Sequence, residues 1–276
     1  MPAPPSPFAH LAGLVRQPYA LRTRNGHAVH VWSLTVPPNA PFLSSWATHF
    51  RNHYCLDTEL DEHMQGTGLS RSQFLEQILF PDQTVAPGPS IRAGDFSEIL
   101  VSDYLESLLR YRVPRAKFSE KASRNESIKG VDVIGFKIIR AGSVSTQDEL
   151  IMFEVKAQLS AKSYADTLQK AINDSTKDHA RLAYTLFATK RRARAAGDAV
   201  LVSQVERFQN LADRPFQWKH GAAAVISSSA YDEELIQCGS DSSQHVNPSA
   251  LDLVLIHGND LMTLAHALYA RSANEA

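Results

Sequence analysis

From residue 94 onward the chain alternates between segments of helical and of strand periodicity. Gly94-Asp95-Phe96-Ser97-Glu98 opens a run in which Phe96, Ile99, Leu100, Tyr104, Leu105, Leu108 and Leu109 give an apolar face to about Arg110. Asp95 stands at the N-cap, Glu98 follows in capping-box spacing, and Pro114 is the stop. A short strand is expected at 115–118 and a polar loop at 119–130. Strands are expected at 131–140 and 149–158, and the Gly-Ser-Thr-rich turn between them predicts an antiparallel hairpin. One long helix follows Ser160, with Tyr164, Leu168, Ile172, Leu182 and Leu186 on one face and Gly197 as its end. A helix at 198–212 comes next, then strands at 222–228 and 251–257, each leading into a helix, the last at 260–270. This order predicts an α/β fold with a mixed central sheet flanked by helices. Ahead of it, 28–36 reads as a strand ended by Pro37-Pro38, and 70–80 as a short helix closed by Pro81. The Pro- and Gly-rich stretch 82–91 marks a boundary between an N-terminal subdomain, residues 1–90 with a flexible tail at 1–8, and a catalytic domain, residues 91–276.

The strand at 149–158 carries the chemistry. Leu150, Met152, Glu154, Lys156 and Gln158 share one face, and Ile151, Phe153, Val155, Ala157 and Leu159 make the other wholly apolar. Charges in such a run are costly to desolvate unless paired, hydrogen-bonded or bound to a metal. Asp132, at the start of the preceding strand, adds a second carboxylate. Phosphodiester hydrolysis needs an attacking water, neutralisation of charge on the phosphorus oxygens and help for the leaving oxygen, and a hard cation held by one or two carboxylates supplies all three. Asp132, Glu154 and the main-chain carbonyl of Val155 are the candidate ligands for Mg2+ (or Mn2+), with Glu98 assisting through water. Lys156 would serve the water or the developing charge, and Gln158 would orient a phosphate or a water. Each has a plainer reading: Glu98 as a capping residue, Gln158 as a solvated strand end, and Glu154 with Lys156 as a structural ion pair.

Composition narrows the setting. Formal charge is -1, so bulk electrostatics does not point to nucleic acid. Yet Lys156, Lys162, Lys170, Lys177, Arg181, Lys190, Arg191, Arg192 and Arg194 fall in one stretch with only Asp166, Asp174 and Asp178 as acids, which suits either a solvated helix face or a phosphodiester groove. Two lone cysteines, Cys55 and Cys238, give no disulfide framework, no apolar run is long enough to span a membrane, and the cytoplasm is the expected location. His49 and His53 are four apart and His63 lies nearby, but no third ligand stands at a convincing spacing for zinc. The chain has no Gly-x-x-x-x-Gly-Lys-Ser/Thr run, so no nucleotide is expected to bind to it.

Gly94 to Glu98, Gly130-Val131-Asp132, and Glu154-Val155-Lys156 with Gln158 resemble the PD-(D/E)XK, restriction-endonuclease-like nuclease superfamily over roughly residues 91–228. Val131 stands where that family often has proline. The resemblance implies a restriction-endonuclease-like core, a helix carrying an acid, and a metal-dependent phosphodiester hydrolase acting on DNA. The stretches Ser123 to Gly130 and Leu251 to Met262 resemble, more narrowly, the nuclease subunit of Hachiman-type anti-phage systems, which implies a superfamily 2 helicase as partner. Two further readings stay open: a catalytically inactive subunit that uses the same fold to hold DNA or restrain a helicase, and, ranked lower for want of a separate sequence-reading module, a stand-alone site-specific restriction enzyme.

Overall fold

The computed structural model describes residues 8–37, 40–115, 117–140 and 142–276. Most of the expected tail 1–8, and Pro38 of the expected strand stop, lie outside the described residues.

Six strands form one mixed sheet in the order β1-β2-β6-β5-β4-β3. They are β1 (Leu14–Arg22), β2 (Ala28–Leu34), β3 (Val133–Lys137), β4 (Glu149–Gln158), β5 (Gln217–Ser227) and β6 (Leu251–Gly258). The outer pairs β1/β2 and β3/β4 are antiparallel, and β2, β6, β5 and β4 run parallel. The central strands are buried on both faces, which is why Ala222 to Ile226 and Leu253 to Ile256 read as unbroken apolar runs rather than alternating ones. Gly221 of β5 lies opposite Phe153 of β4, and a Cβ there would fall 2.2 Å from the Phe153 ring, so the aromatic packs only against glycine.

One sheet face carries α1 (Ala40–Arg51), α4 (Gly88–Ser107) and α9 (Leu261–Asn274), whose side chains share a core with Ile151, Phe153 and Val155. The other face carries α5 (Thr167–Ser175), α6 (Asp178–Ala195) and α7 (Ala199–Arg207). There Leu150 and Met152 pack with Leu182 and Leu186, while Leu168 and Ile172 pack against β5 and β6. The alternation read for β4 therefore places its two faces correctly. Short helices α2 (Leu60–Met64), α3 (Arg71–Phe74) and α8 (Glu233–Gly239) complete the chain. The two pieces on either side of residue 90 share one sheet and one core: β2 pairs with β6, and Phe50 and Tyr54 pack with Phe96 and Tyr269.

Several local expectations are corrected. The helix expected to open at Asp95 starts at Gly88, with Pro89 in its first turn where the missing N–H costs nothing. Asp95 is therefore not a cap. It is buried mid-helix, accepts from the Tyr54 hydroxyl at 2.6 Å and pairs with Lys121. Glu98 is thereby free of a capping role. The single long helix after Ser160 is two, broken at Thr176-Lys177, and Asp178 stands at the start of the second. The described residues of 115–118 form no strand; Arg112 makes an isolated bridge to Phe136, and a 3-10 turn covers Lys117–Glu120. β1, unread in the sequence, is an edge strand holding Pro18 at a register shift, the kind of position where proline is tolerated.

Candidate active site

The β3/β4 ladder ends at Val133–Phe153, leaving the next inward N–H of β4 without a strand partner. Asp132 supplies one: its Oδ2 accepts from Val155 N at 2.9 Å. A strand residue presents its N–H and C=O at the same edge, so the Val155 carbonyl projects past the end of β3 beside the Asp132 carboxylate. Gly130 sets up this approach. Its φ of +123° is left to glycine, a Cβ would fall 2.7 Å from Thr185 Oγ1, and the neighbouring Val131 N donates to that same hydroxyl at 3.0 Å.

Asp132, Glu154, Val155, Lys156 and Glu98 line one groove of about 900 Å³, together with Arg181, Lys129 and Tyr184. Glu154 is almost fully buried and is held at both oxygens, Oε1 by Lys156 Nζ at 2.6 Å and Oε2 by Arg181 at 3.0 Å. Lys156 also reaches Asp174 Oδ2 at 2.8 Å, and Arg181 reaches Asp178 Oδ1 at 3.2 Å. Across the groove Glu98 pairs with Lys117 at 2.7 Å, and the same ammonium donates to the Asp132 carbonyl at 2.9 Å. Gln158 is elsewhere. Its side chain donates to Ser163 O at 2.5 Å and accepts from Ala165 N at 3.3 Å and from Thr167, fastening the loop into α5 rather than lining the groove.

The carboxylates crowd one another. Burial, reinforced by the charge of Glu98, pushes Asp132 up to about 6. Burial raises Glu98, and burial with Asp132 raises Glu154. Asp178 is pushed up to about 8 by burial and by Glu154 and Asp132, and its buried Oδ2 has no hydrogen-bond partner among the described residues. Lys156 moves the other way from a general base: burial disfavours its ammonium, but Asp174 and Glu154 outweigh that and hold its pKa above the ordinary lysine value. It is a fixed positive charge at neutral pH.

Sequence reasoning underused Asp174, Asp178 and Arg181, which it counted only within a basic stretch, and missed Lys117. No glycine or proline marks the stop at Thr176-Lys177 that brings the first three together. Lys117 had no signal either, since only the turn before β3 brings it to Glu98. The basic cluster at the end of α6 is engaged internally: Arg191 and Arg192 with Glu120, and Lys190 and Arg194 with Glu206.

The donor set suits a hard divalent cation. Asp132 Oδ1 makes no hydrogen bond among the described residues, Val155 turns its N–H to Asp132 from the same strand edge as its carbonyl, and the groove lining holds carboxylates but no imidazole or thiolate. Among the described residues, Asp132 and Glu154 do not form, with any third histidine, cysteine or acid, a group whose ligand atoms all lie within 4.8 Å of one another.

Fold and groove together define a mixed α/β protein with a buried carboxylate and lysine cluster beside the free end of a sheet ladder. The HamA family model matches residues 15–272, and the chain belongs to that family, a component of Hachiman-type anti-phage defence. No curated protein matches it. No helix among the described residues is long and apolar enough to cross a membrane.

Proposed function

We propose that this chain is a nuclease that hydrolyses DNA phosphodiester bonds with a magnesium or manganese ion, working beside a superfamily 2 helicase partner in Hachiman defence. The observation that carries the reading is the convergence of Asp132, Glu154 and Lys156 in one groove, with more buried acid than the local cations compensate. Asp132, Glu154 and the Val155 carbonyl would hold the ion, with Glu98 assisting from α4. A bound ion would supply neutralisation of the scissile phosphate and a more acidic attacking water.

The chain's own residues do the rest. Lys156, a permanent cation, stabilises charge gathering on the phosphorus oxygens rather than abstracting a proton. Asp174 fixes the position of its Nζ. Arg181 lines the groove while bonded to Glu154 and offers a second positive charge to a phosphate. Lys117 holds Glu98 and the Asp132 carbonyl in register. Lys129 and Tyr184, both exposed at the groove, suit a phosphate and a base face.

The test compares wild type with Glu154→Ala and Lys156→Ala in plasmid cleavage with magnesium, with and without the helicase subunit and ATP. Loss of about a hundredfold or more in both variants supports the reading. Equal cleavage by all three proteins rejects it in favour of an inactive nuclease-fold subunit that binds DNA or restrains the helicase.

A further inference from the structure

Away from the groove, four polar side chains from three distant segments meet under the N-terminal part of the chain. His10 comes from the turn before β1, His49 and His53 from α1, and Asp103 from α4. His10 Nε2 lies 2.7 Å from Asp103 Oδ2, and His49 Nε2 lies 2.9 and 3.1 Å from Asp103 Oδ1 and Oδ2. One ligand atom from each of His10, His49 and Asp103 falls within 4.8 Å of the other two. His53 Nε2 stands 3.4 Å from His49 Nε2.

We propose that His10, His49 and Asp103 bind a structural zinc ion, with His53 a side-chain rotation from the fourth position. Three imidazole nitrogens and a carboxylate are the ligand types zinc takes, and donors at zinc distances lie about 3.3 Å apart, so the observed separations need to open by only a few tenths of an ångström. Both ends of the cluster are enclosed: Asp103 is fully buried, His10 nearly so, and the Trp46 ring stacks on His10 at 4.5 Å.

Arg115 donates to Asp103 Oδ1 at 2.6 Å and to His53 Nε2 at 3.2 Å, and pairs with Glu106. It plays the outer partner that orients a ligating carboxylate and leaves Oδ2 to the ion. With His53 Nε2 only 3.4 Å from His49 Nε2, the fourth donor is near the cluster while Arg115 holds it. The ion would tie the start of the chain and α1 to the helix that carries Glu98. That assigns a role to the N-terminal residues independent of the nuclease reading.

The experiment measures metal in the full-length chain, purified without a polyhistidine tag and dialysed, by inductively coupled plasma mass spectrometry. About one zinc per wild-type chain is expected, falling at least fivefold in His10→Ala and in His49→Ala and unchanged in Glu154→Ala. Cobalt titration of metal-stripped wild type needs no variant to fold and should give visible d–d absorption that saturates at about one equivalent. Wild type without zinc and without a cobalt spectrum overturns the proposal. So does zinc that survives both histidine substitutions, or that leaves with Glu154→Ala instead.

Discussion

Two carboxylates of helix α4, Glu98 and Asp103, have opposite fates. Glu98 faces the groove, where burial and the charge of Asp95 raise its pKa despite the Lys117 ion pair. Asp103, five residues on, is fully buried. Its burial pushes upward, but hydrogen bonds from His10 and His49 and the charge of Arg115 overrule it and hold the carboxyl well below the usual range. Burial alone therefore does not set the state of an acid; the balance of donors around it does. At Asp103 the donors outnumber the acid, and the group is a clamp. In and around the groove four acids, Glu98, Asp132, Glu154 and Asp178, face three cations, Lys117, Lys156 and Arg181, and the surplus acid shows as raised carboxyl pKa values, that of Asp178 reaching about 8. A protein bears such an excess most readily where something positive is meant to arrive.

The contrast breaks most sharply under substitution. Asp103→Ala strands two histidines and Arg115 beside a lost acceptor and should cost about 3–5 kcal/mol, read as a fall in the denaturant midpoint without a change in slope. Asp132→Asn should do the reverse in EDTA at pH 8, gaining about 1–2 kcal/mol because an unneutralised charge disappears, although the site would no longer bind its ion. A loss of stability there equal to that of Asp103→Ala would erase the distinction.

Acidity sharpens it further. Asp132, raised to about 6 when folded against 3.8 as its ordinary value, binds its proton more tightly in the native state. Its contribution to metal-free stability is complete below about pH 4 and is lost as pH rises through 6. Asp103, depressed on folding, contributes above about pH 4 and is lost on further acidification. Urea titrations between pH 3 and 8 in EDTA should show both limbs, and Asp132→Asn should flatten the one between about pH 4 and 6. The smallest effect is expected at Gln158: Gln158→Ala should cost about 1 kcal/mol through the loop into α5, and alter cleavage less than about threefold. A hundredfold loss of cleavage in a folded Gln158→Ala protein would return that side chain to the groove.

What the chain discloses before folding follows the reach of each interaction. The period-2 pattern of β4 and the spacing of Asp132 from Glu154 are local, and both faces of the strand followed from them, as did the meeting of Asp132, Glu154 and Lys156 in one groove, though not the place of Gln158. The start of α4 was misplaced because Asp95 has the chemistry of a cap, and only Tyr54 and Lys121, far away in sequence, show it to be interior. The run from Lys156 to Arg194 resembled a phosphate-binding stripe, whereas Glu120 and Glu206 engage its C-terminal cluster from other elements. The histidine cluster was legible only in part for the same reason: His49 and His53 stood out by their spacing, but the missing ligands are His10 and Asp103, 93 residues apart, and no spacing rule spans such a separation.

The hydrogen bond from Val155 to Asp132 makes one oxygen of the groove's carboxylate cluster also a rung of the sheet. Whatever alters that side chain, whether a proton, an ion or a mutation, also pulls on the end of β3. The last stitch of the ladder would thus loosen or tighten with occupancy, and amide exchange at Val155 would report it without any substrate present.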